Sequence, residues 1–350
     1  MNLICLECGR KYPDGFRLKC SCGGVLGIKN EYDVGFEDIL DPSRSDSRRY
    51  TGFVPVEENY LPDLVPPMTP TVEKNISGIE IIFKMEYLMP SGSFKDRGTY
   101  VTLGKLKEEG IKEVSLDSSG NAAISLALYG RSEGIKTHIF VSDNVEKGKK
   151  RILRQLTSEI HEISGTRMDV HDEALKFEDT QYISHWYNPF FLEGTKISAY
   201  EVGEERDINR VLVPTGSGTL FMGLYKGFSE LSKFGVVEKI PEMIAVEAKG
   251  YESLKSKSEE KSEMSSGVEI VEPPRTDQMR EILKTTGGFS VSADDDAIES
   301  AKEELLSMGF LIEATSAMAY AAFLKLLEKG EFSEGERVLI PLTGSGLKSM

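Results

Sequence analysis

A lysine on a loop of small residues is the feature of this sequence with the clearest chemical potential. It lies in the run PSGSFKDRG at residues 90–98, where Lys95 closely follows three small residues at 91–93. An amphipathic stretch continues to about Glu109, which predicts that the loop leads directly into a helix. A lysine that holds an aldehyde cofactor as a Schiff base must be reachable and closely approached by backbone, and this pattern provides both. The alternative is an ordinary solvated lysine at the start of a helix.

A polar turn follows the next segment with strand character. Ser118, Ser119, Gly120 and Asn121 come directly after that segment and open a helix of small residues. The N–H groups at the start of a helix have no intrahelical partner, and the helix dipole is positive there, so the turn suits a carboxylate. Without a ligand, the same four residues form a favourable turn and helix cap.

Two glycine-rich turns each follow a buried-strand pattern. The run VLVP at 211–214 leads into TGSGT at 215–219, and the run VLIPL at 338–342 leads into TGSGLK at 343–348. A strand, a glycine-rich loop and a helix in this order can cradle a phosphate with backbone N–H groups. The dinucleotide fingerprint G-x-G-x-x-G fails at Phe221, and the P-loop pattern G-x-x-x-x-G-K-[ST] does not occur. The second turn is equally compatible with a simple glycine turn after a strand.

Taken in this order, the four motifs resemble those of the fold-type II pyridoxal-phosphate enzymes, and of threonine synthases in particular. The lysine loop is similar to the cofactor-binding motif of that family, and the ending TGSGLK is similar to the T-G-x-G-L-K sequence with which threonine synthases close. The resemblance covers nearly the whole chain. It implies pyridoxal 5'-phosphate as the cofactor and a lyase that converts O-phosphohomoserine and water to threonine and phosphate.

The resemblance also implies a role for each motif by its position. Lys95 is then the catalytic lysine that binds the cofactor, and Asn121 bonds the phenolic oxygen of the cofactor. Thr343 faces the pyridine nitrogen with a neutral hydroxyl, which suits elimination and replacement at the β or γ carbon. The substrate carboxylate is held by Ser118, Ser119 and Gly120. The cofactor phosphate is held by Gly216, Ser217, Gly218 and Thr219.

The segment expected to form the substrate pocket departs from the family pattern. Threonine synthases read N-P-x-R-x-E-G-Q-K-T where this chain reads NPFFLEGTKI at 188–197, so Phe191 replaces an arginine that helps to bind the substrate phosphate. Ala122 likewise replaces a threonine that contacts this phosphate. Loss of a bidentate cation is not a conservative change, so a phosphorylated substrate needs other donors. The replacement donors are Lys196, His185 or Arg97, and the expected pocket residues are His185, Asn188, Phe191 and Lys196.

Two alternatives to a threonine synthase remain open from the sequence. One is a related β-elimination or β-replacement enzyme that uses the same cofactor, of the serine or threonine dehydratase or cysteine synthase type. Phe190 and Phe191 would then line an apolar pocket. The other is a non-catalytic homologue that binds pyridoxal phosphate, and the intact Lys95 counts against it.

All four cysteines lie near the N-terminus, in the pattern C-x2-C-x11-C-x-C. They are Cys5, Cys8, Cys20 and Cys22. Clustered cysteines in an intracellular chain favour a metal over disulfides, and four thiolates in two glycine-containing turns suit a tetrahedral structural zinc. Threonine synthases often carry a similar N-terminal ribbon. Because the second pair is closer than C-x2-C, reduced thiols or a lost metal are the alternative.

The composition indicates a globular protein, with 350 residues of which 39% are hydrophobic and 28% charged. The formal net charge of −15 argues against nucleic acids and anionic membranes as main partners, because those require clustered Lys and Arg. No apolar run approaches the roughly 18 residues of a membrane span, and the N-terminus lacks the apolar core of a secretory signal. We therefore expect a cytoplasmic protein with a small amino acid as its substrate. A homodimer is left open.

Segments with strand and helix character alternate along the chain, which predicts an α/β protein with open, mostly parallel sheets and helices on both faces. Residues 254–275 contain few apolar residues and are predicted to form a mobile surface loop. His138, His161 and His171 are expected to be strand, surface or packing residues. The expected domains are a zinc-ribbon-like segment at 1–30, a linker at 31–65, and a catalytic body at 66–350 with two interleaved subdomains, the smaller at about 100–200.

Overall fold

A computed structural model of the chain describes residues 2–143, 147–157, 159–178, 180–265 and 267–349. Its strands are β1 (Asn2–Cys5), β2 (Lys11–Tyr12), β3 (Leu26–Lys29), β4 (Thr71–Ile76), β5 (Ile79–Lys84), β6 (Glu113–Asp117), β7 (Lys136–Ser142), β8 (Glu159–Ile163), β9 (Gln181–Tyr182), β10 (Arg210–Pro214), β11 (Glu242–Ala248), β12 (Ser290–Ala293) and β13 (Arg337–Pro341). Its α-helices are α1 (Phe36–Ile39), α2 (Lys95–Glu108), α3 (Asn121–Ser132), α4 (Lys147–Leu156), α5 (Arg167–Lys176), α6 (Pro189–Thr195), α7 (Ile197–Gly203), α8 (Thr219–Phe234), α9 (Thr276–Thr286), α10 (Asp295–Ser307) and α11 (Ala314–Glu328).

The chain divides into two compact units. The first contains the described residues up to Pro67 together with Lys95–Thr195 and Ser349, and the second contains Met68–Phe94 and Lys196–Lys348. Each unit has a parallel sheet of its own, so the prediction of open, mostly parallel sheets is confirmed.

The first unit contains two sheets. Strands β2, β1 and β3 form a small antiparallel ribbon, and β8, β7, β6 and β9 form a parallel sheet in that order. Strand β7 is buried along most of its length, as expected for the interior of a parallel sheet. Residues 31–65 contain α1 and two short 3₁₀ helices, Ser47–Phe53 and Glu58–Tyr60. Tyr50 and Phe53 are fully buried, so this segment contributes to the core of the first unit.

The second unit contains a six-stranded sheet in the order β12-β11-β10-β13-β5-β4. All neighbouring strands are parallel except β4 and β5, which form a hairpin. Its two-residue turn places both Ser77 and Gly78 at positive φ, as a type I′ turn requires. The buried apolar runs of β10, β11 and β13 explain why these strands lie inside the sheet. Since parallel strands end at the same edge, the loops after β10 and β13 emerge side by side.

The segment at 254–275 is a loop, as predicted, but parts of it are buried. Its described residues, 254–265 and 267–275, form no helix or strand. However, Ser265, Val268 and Arg275 are buried, and an added Cβ on Gly216 would lie 2.7 Å from the Cα of Val268. The segment therefore packs under the glycine-rich loop, which composition alone did not reveal. Among the helices of the described residues, none has the length and apolar character needed to cross a membrane.

Candidate active site

The loop before Lys95 is hydrogen-bonded to the loop that follows β13. The N–H of Phe94 donates to the carbonyl of Thr343 at 3.1 Å, and the N–H of Ser345 donates to the carbonyl of Gly92 at 2.9 Å. Gly92 has φ +77°, and an added Cβ would lie 3.3 Å from that of Ser345, so glycine suits both the conformation and the close approach. Lys95 is the next residue after Phe94 and the first residue of α2. The backbone that leads into Lys95 is therefore fixed.

The hydroxyl of Thr343 has a partner that the sequence did not reveal. Ser316, near the start of α11, places its Oγ 3.0 Å from the Oγ1 of Thr343. The same Oγ accepts from the N–H of Gly344 at 2.9 Å. Thr343 and Ser316 are both buried. Their contacts fix the orientation of the Thr343 side chain. The two residues are 27 positions apart, so no local sequence pattern links them.

The glycine-rich loop joins β10 to the sixteen-residue helix α8. Thr215 is anchored to the neighbouring strand, because its N–H donates to the carbonyl of Val246 at 2.7 Å. Gly218 is the N-cap of α8 and has φ +78°, a left-handed conformation that favours glycine. The chemistry of this loop suits the phosphate of pyridoxal 5'-phosphate, because the first N–H groups of a helix and its positive dipole attract anions.

The polar turn of the first unit has the predicted form. Strand β6 ends at Asp117, Gly120 is the N-cap of α3, and Asn121 is the first residue of that helix. The N–H of Gly120 donates to the Oγ of Ser118 at 3.3 Å. Residues 118–121 are half-buried, which leaves the turn accessible to a small ligand.

A cavity beside this turn has a largely apolar lining. Its lining residues are Thr99, Thr102, Leu116, Ala122, Leu126, Ile183, His185, Asn188 and Phe191. Asn188 donates from its amide to the Oγ1 of Thr102 at 2.8 Å, and Thr102 donates to the carbonyl of Gly98 at 2.7 Å. The Nζ of Lys95 lies 5.8 Å from the ring centroid of Phe191. Phe191 and Ala122 therefore both line this cavity. They are the two positions at which the family pattern has a residue that contacts the substrate phosphate.

A hydrogen-bonded cluster next to the polar turn was missed from the sequence. The Asp117 carboxylate accepts from the Tyr182 hydroxyl at 2.5 Å and lies 2.8 Å from the Nδ1 of His171. These three residues line a second cavity together with Leu116, Ser184, His185 and Trp186. His171 was expected to be a surface or packing residue. In the structure it contacts Asp117, which is the residue directly before the predicted carboxylate turn. Its distance of 54 residues from Asp117 explains why no pattern indicated this.

The three proposed replacement cations have different environments. His185 lines both cavities, and its ring lies 5.7 Å from that of Phe191. Arg97 is buried in α2. Lys196 is fully buried in the second unit, and its Nζ lies 2.9 Å from the Glu230 carboxylate. This ion pair matches the charge of Lys196, which argues against the expectation that Lys196 binds the substrate phosphate.

The electrostatics of Glu230 agree with this ion pair. Burial acts to raise the pKa of Glu230, but the ammonium groups of Lys196 and Lys226 outweigh that effect and hold the pKa below its ordinary value. The Tyr200 hydroxyl also donates to this carboxylate. Glu230 is thus ionised at neutral pH, and Lys196 belongs to a buried ion pair.

The four cysteines converge in the small ribbon of the first unit. The Sγ atoms of Cys5 and Cys22 are 3.7 Å apart, and those of Cys8 and Cys20 are 3.6 Å apart. These distances are close to the spacing of about 3.8 Å between sulfurs around a tetrahedral zinc, and far from the roughly 2 Å of a disulfide. The backbone N–H of Cys22 and the Tyr12 hydroxyl lower the pKa of the Cys20 thiol to about 6. The donor set fits zinc.

Comparisons with known proteins agree with this geometry. A family model described as pyridoxal-phosphate dependent enzyme matches residues 66–344, and the chain therefore belongs to that family. The sequence is 28% identical to a threonine synthase of Methanocaldococcus jannaschii across 98% of this chain and 92% of that protein. It is 29% identical to a threonine synthase of Halalkalibacterium halodurans across 86% of this chain and 88% of that protein. The resemblance to threonine synthases is thus confirmed, and the protein is a threonine synthase-like enzyme that depends on pyridoxal phosphate.

Solved structures confirm the fold at lower sequence identity. Maize serine racemase matches with a TM-score of 0.71 and 19% identity, covering 80% of this chain and 89% of that chain. The processed form of threonine deaminase isoform 2 from Solanum lycopersicum matches with a TM-score of 0.67 and 21% identity, covering 80% and 84%.

Replacing Lys196 by alanine tests its assignment to the buried ion pair. Lys196→Ala leaves the buried Glu230 carboxylate without its nearest cation, and we expect the free energy of unfolding to fall by about 3–5 kcal/mol. Urea denaturation measures this change. Lys226→Ala is the matched control, because the Lys226 side chain is 21% exposed and its ammonium lies 4.0 Å from the same carboxylate. Its loss should therefore cost less than about 1 kcal/mol. Wild-type stability in Lys196→Ala, with a raised KM for O-phosphohomoserine, would restore the substrate role.

Proposed function

We propose that this chain catalyses the threonine synthase reaction, in which O-phosphohomoserine and water give threonine and phosphate. Curated relatives with that name support the proposal, since they align with nearly the whole of this chain and with most of their own length. The observation that carries it is the placement of Lys95 at the first residue of α2, directly after a loop bonded to Thr343.

In this proposal, bound pyridoxal phosphate supplies an electron sink for negative charge that develops on the substrate. The ε-amine of Lys95 binds the cofactor and then moves protons between the reacting carbons as base and acid. The N–H groups at Ser118, Ser119 and Gly120 orient the substrate carboxylate. Asn121 bonds the phenolic oxygen of the cofactor. The cofactor phosphate is bound by Gly216, Ser217, Gly218 and Thr219.

Thr343 is proposed to act on the electronic character of the cofactor. A carboxylate partner would keep the pyridine nitrogen protonated, whereas a hydroxyl leaves the ring a weaker electron sink. A weaker sink suits elimination and replacement reactions. Ser316 is then a positioning residue, because it holds the Thr343 hydroxyl in place.

The substrate phosphate needs a donor in place of the absent arginine, and we assign this role to His185. Of the three replacement candidates, His185 alone lines the two cavities beside the carboxylate turn. The role of Asn188 is to hold the pocket wall through Thr102, since its amide is used in that contact. Phe191 forms the apolar wall.

The apolar lining of the cavity at Phe191 and Ala122 favours a second candidate function. Phe191 and Ala122 give the cavity an apolar surface where the family pattern has phosphate contacts. An unphosphorylated hydroxyamino acid, or an O-acetylated one, would place less charge there. Such a substrate would make the chain a β-elimination or β-replacement enzyme of the dehydratase or cysteine synthase type.

Steady-state assays with four amino acids distinguish the two functions. The substrates are O-phosphohomoserine, O-phosphoserine, threonine and O-acetylserine. We expect the highest kcat/KM with O-phosphohomoserine, and a loss of about ten-fold or more in His185→Gln, because hydrogen bonds to charged groups contribute about 1.5–3 kcal/mol. Lys176→Gln, at an exposed position outside both cavities, is the control. No turnover of O-phosphohomoserine by wild-type protein, together with turnover of an unphosphorylated amino acid, would replace the threonine synthase assignment by the second function.

We further propose that residues 1–30 form a zinc ribbon, joined by residues 31–65 to the catalytic body at 66–350. The four sulfur atoms of the ribbon support this proposal, because they lie within 4.8 Å of one another. All four thiolates are then metal ligands, which leaves the ribbon a structural role. Reduced cysteines of this kind persist in reducing compartments, so the proposal includes a cytoplasmic location.

Removal of one ribbon cysteine tests the zinc proposal. Cys5→Ser should lose one equivalent of zinc and increase proteolysis near the N-terminus, while the cofactor is retained, because the ribbon supplies no proposed cofactor contact. Metal analysis and limited proteolysis measure these effects. Ser21→Ala, which changes the residue between two ligands, should keep its zinc. Equal zinc content in Cys5→Ser and Ser21→Ala would contradict the site, and loss of activity with an intact fold would contradict a purely structural role.

A further inference from the structure

Two histidines and two glutamates meet on one face of the parallel sheet in the first unit. In the parallel register, Glu113 lies beside Lys136 on β6 and β7, and His138 lies beside Glu159 on β7 and β8. His161 is two residues further along β8 and projects from the same face as Glu159, since side chains alternate along a strand. Glu113 and Glu159 are the first residues of their strands, and His138 and His161 are the third residues of theirs. The candidate active-site turn lies at the opposite, carboxyl end of β6.

The hydrogen bonds of His138 determine which nitrogen is available to a ligand. Its Nε2 lies 2.6 Å from the Glu113 carboxylate, so this nitrogen carries the hydrogen and donates. Its Nδ1 then presents a lone pair, and the Nε2 of His161 lies 3.0 Å away. Without a metal, His161 donates its Nε2 hydrogen to that lone pair. A change of tautomer that moves this hydrogen to the Nδ1 of His161 frees both facing nitrogens without net loss of a proton.

The Glu159 carboxylate completes a triangle with these two nitrogens. Its Oε2 lies 3.5 Å from the Nδ1 of His138 and 3.7 Å from the Nε2 of His161. Ligand atoms about 2.0–2.1 Å from a tetrahedral ion are about 3.4 Å apart, close to the mean of the three edges. We propose that His138, Glu159 and His161 form a site for a divalent transition metal of the zinc class, separate from the cysteine ribbon.

The surroundings hold the proposed ligands in position. Glu113 orients the His138 ring through its far nitrogen, as carboxylates do for most histidines that bind metals. The His161 ring stacks on Phe140 at 4.3 Å between centroids, and Phe177 packs against both histidines at 4.7 and 5.0 Å. These aromatic contacts limit rotation of the two imidazole rings. The ammonium of Lys136 lies 2.8 Å from the Oε1 of Glu113 and 3.7 Å from the Oε1 of Glu159. The other oxygen of Glu159, Oε2, is the one that faces the two histidines.

The exposure of the ligands indicates the kind of site. The side chain of His138 is buried, that of His161 is 24% exposed and that of Glu159 is 51% exposed. Three protein ligands leave a fourth tetrahedral position, and these exposures direct it to solvent, where water can occupy it. Two nitrogens and one carboxylate favour zinc, cobalt or nickel over calcium or magnesium, which prefer oxygen ligands. A bound ion would tie β8, at the edge of the sheet, to β7.

Zinc binding to the holoenzyme tests the proposal. The protein is first loaded with zinc at the ribbon, and then dialysed against graded concentrations of free Zn²⁺ before metal analysis. Wild type should bind one equivalent more than His161→Ala at concentrations that saturate wild type. Glu159→Gln should lower the affinity for this second zinc ten-fold or more, and Glu113→Gln should lower it about 10- to 100-fold. The matched control is Glu162→Gln on the same strand, because Glu162 pairs with Lys150 and Arg154 outside the triangle.

Cofactor absorbance shows whether each variant is folded, and it separates this test from the proposed function. A second equivalent of zinc that is lost in His161→Ala and Glu159→Gln but kept in Glu162→Gln supports the proposed metal site. This result does not depend on which amino acid the enzyme acts on. Equal zinc stoichiometry in wild type and folded His161→Ala overturns it. The cluster is then a histidine pair joined only by a hydrogen bond.

Discussion

The hydrogen bonds between residues 92–94 and residues 343–345 are the constraint on which the account of the site depends. They attach the loop before Lys95 to the turn that carries Thr343, although these two parts of the chain lie nearly 250 residues apart in sequence. Gly92 permits the attachment, because its φ of +77° and its close approach to Ser345 both disfavour a side chain. The backbone that leads into the proposed cofactor lysine is therefore fixed by the turn that follows a buried strand.

The other proposed binding residues are also positioned by the strands that precede them. Each follows a parallel strand at its carboxyl end, where loops are free to vary while the strand remains fixed by its neighbours. The carboxylate turn follows β6, the glycine-rich loop follows β10, and the Thr343 turn follows β13. Strands β10 and β13 are hydrogen-bonded neighbours, so two of these loops are adjacent within the second unit. Rigid strands thus determine the positions of residues that would be mobile in an isolated loop.

The sequence predicted the features that depend on local pattern, and missed those that depend on contacts between distant residues. Apolar runs identified β10 and β13, and small polar residues identified the helix starts at Lys95 and Asn121. Strand β4 was missed because it lies at the sheet edge and none of its residues is fully buried, although the Ser-Gly pair after it is a turn signal. The contacts of His171 with Asp117 and of Lys196 with Glu230 were missed because no periodicity links residues that meet only after folding. Residues 254–275 were predicted to be a loop, but the few buried side chains that anchor this polar segment were missed.

The most direct test of the account is to locate the cofactor on the chain. Protein loaded with pyridoxal phosphate is reduced with borohydride, which makes the link between the cofactor and a lysine permanent, and is then digested and analysed by mass spectrometry. We expect the added mass on Lys95, in the peptide that follows the loop bonded to Thr343. Added mass on a different lysine, or a protein that takes up no cofactor, would contradict it.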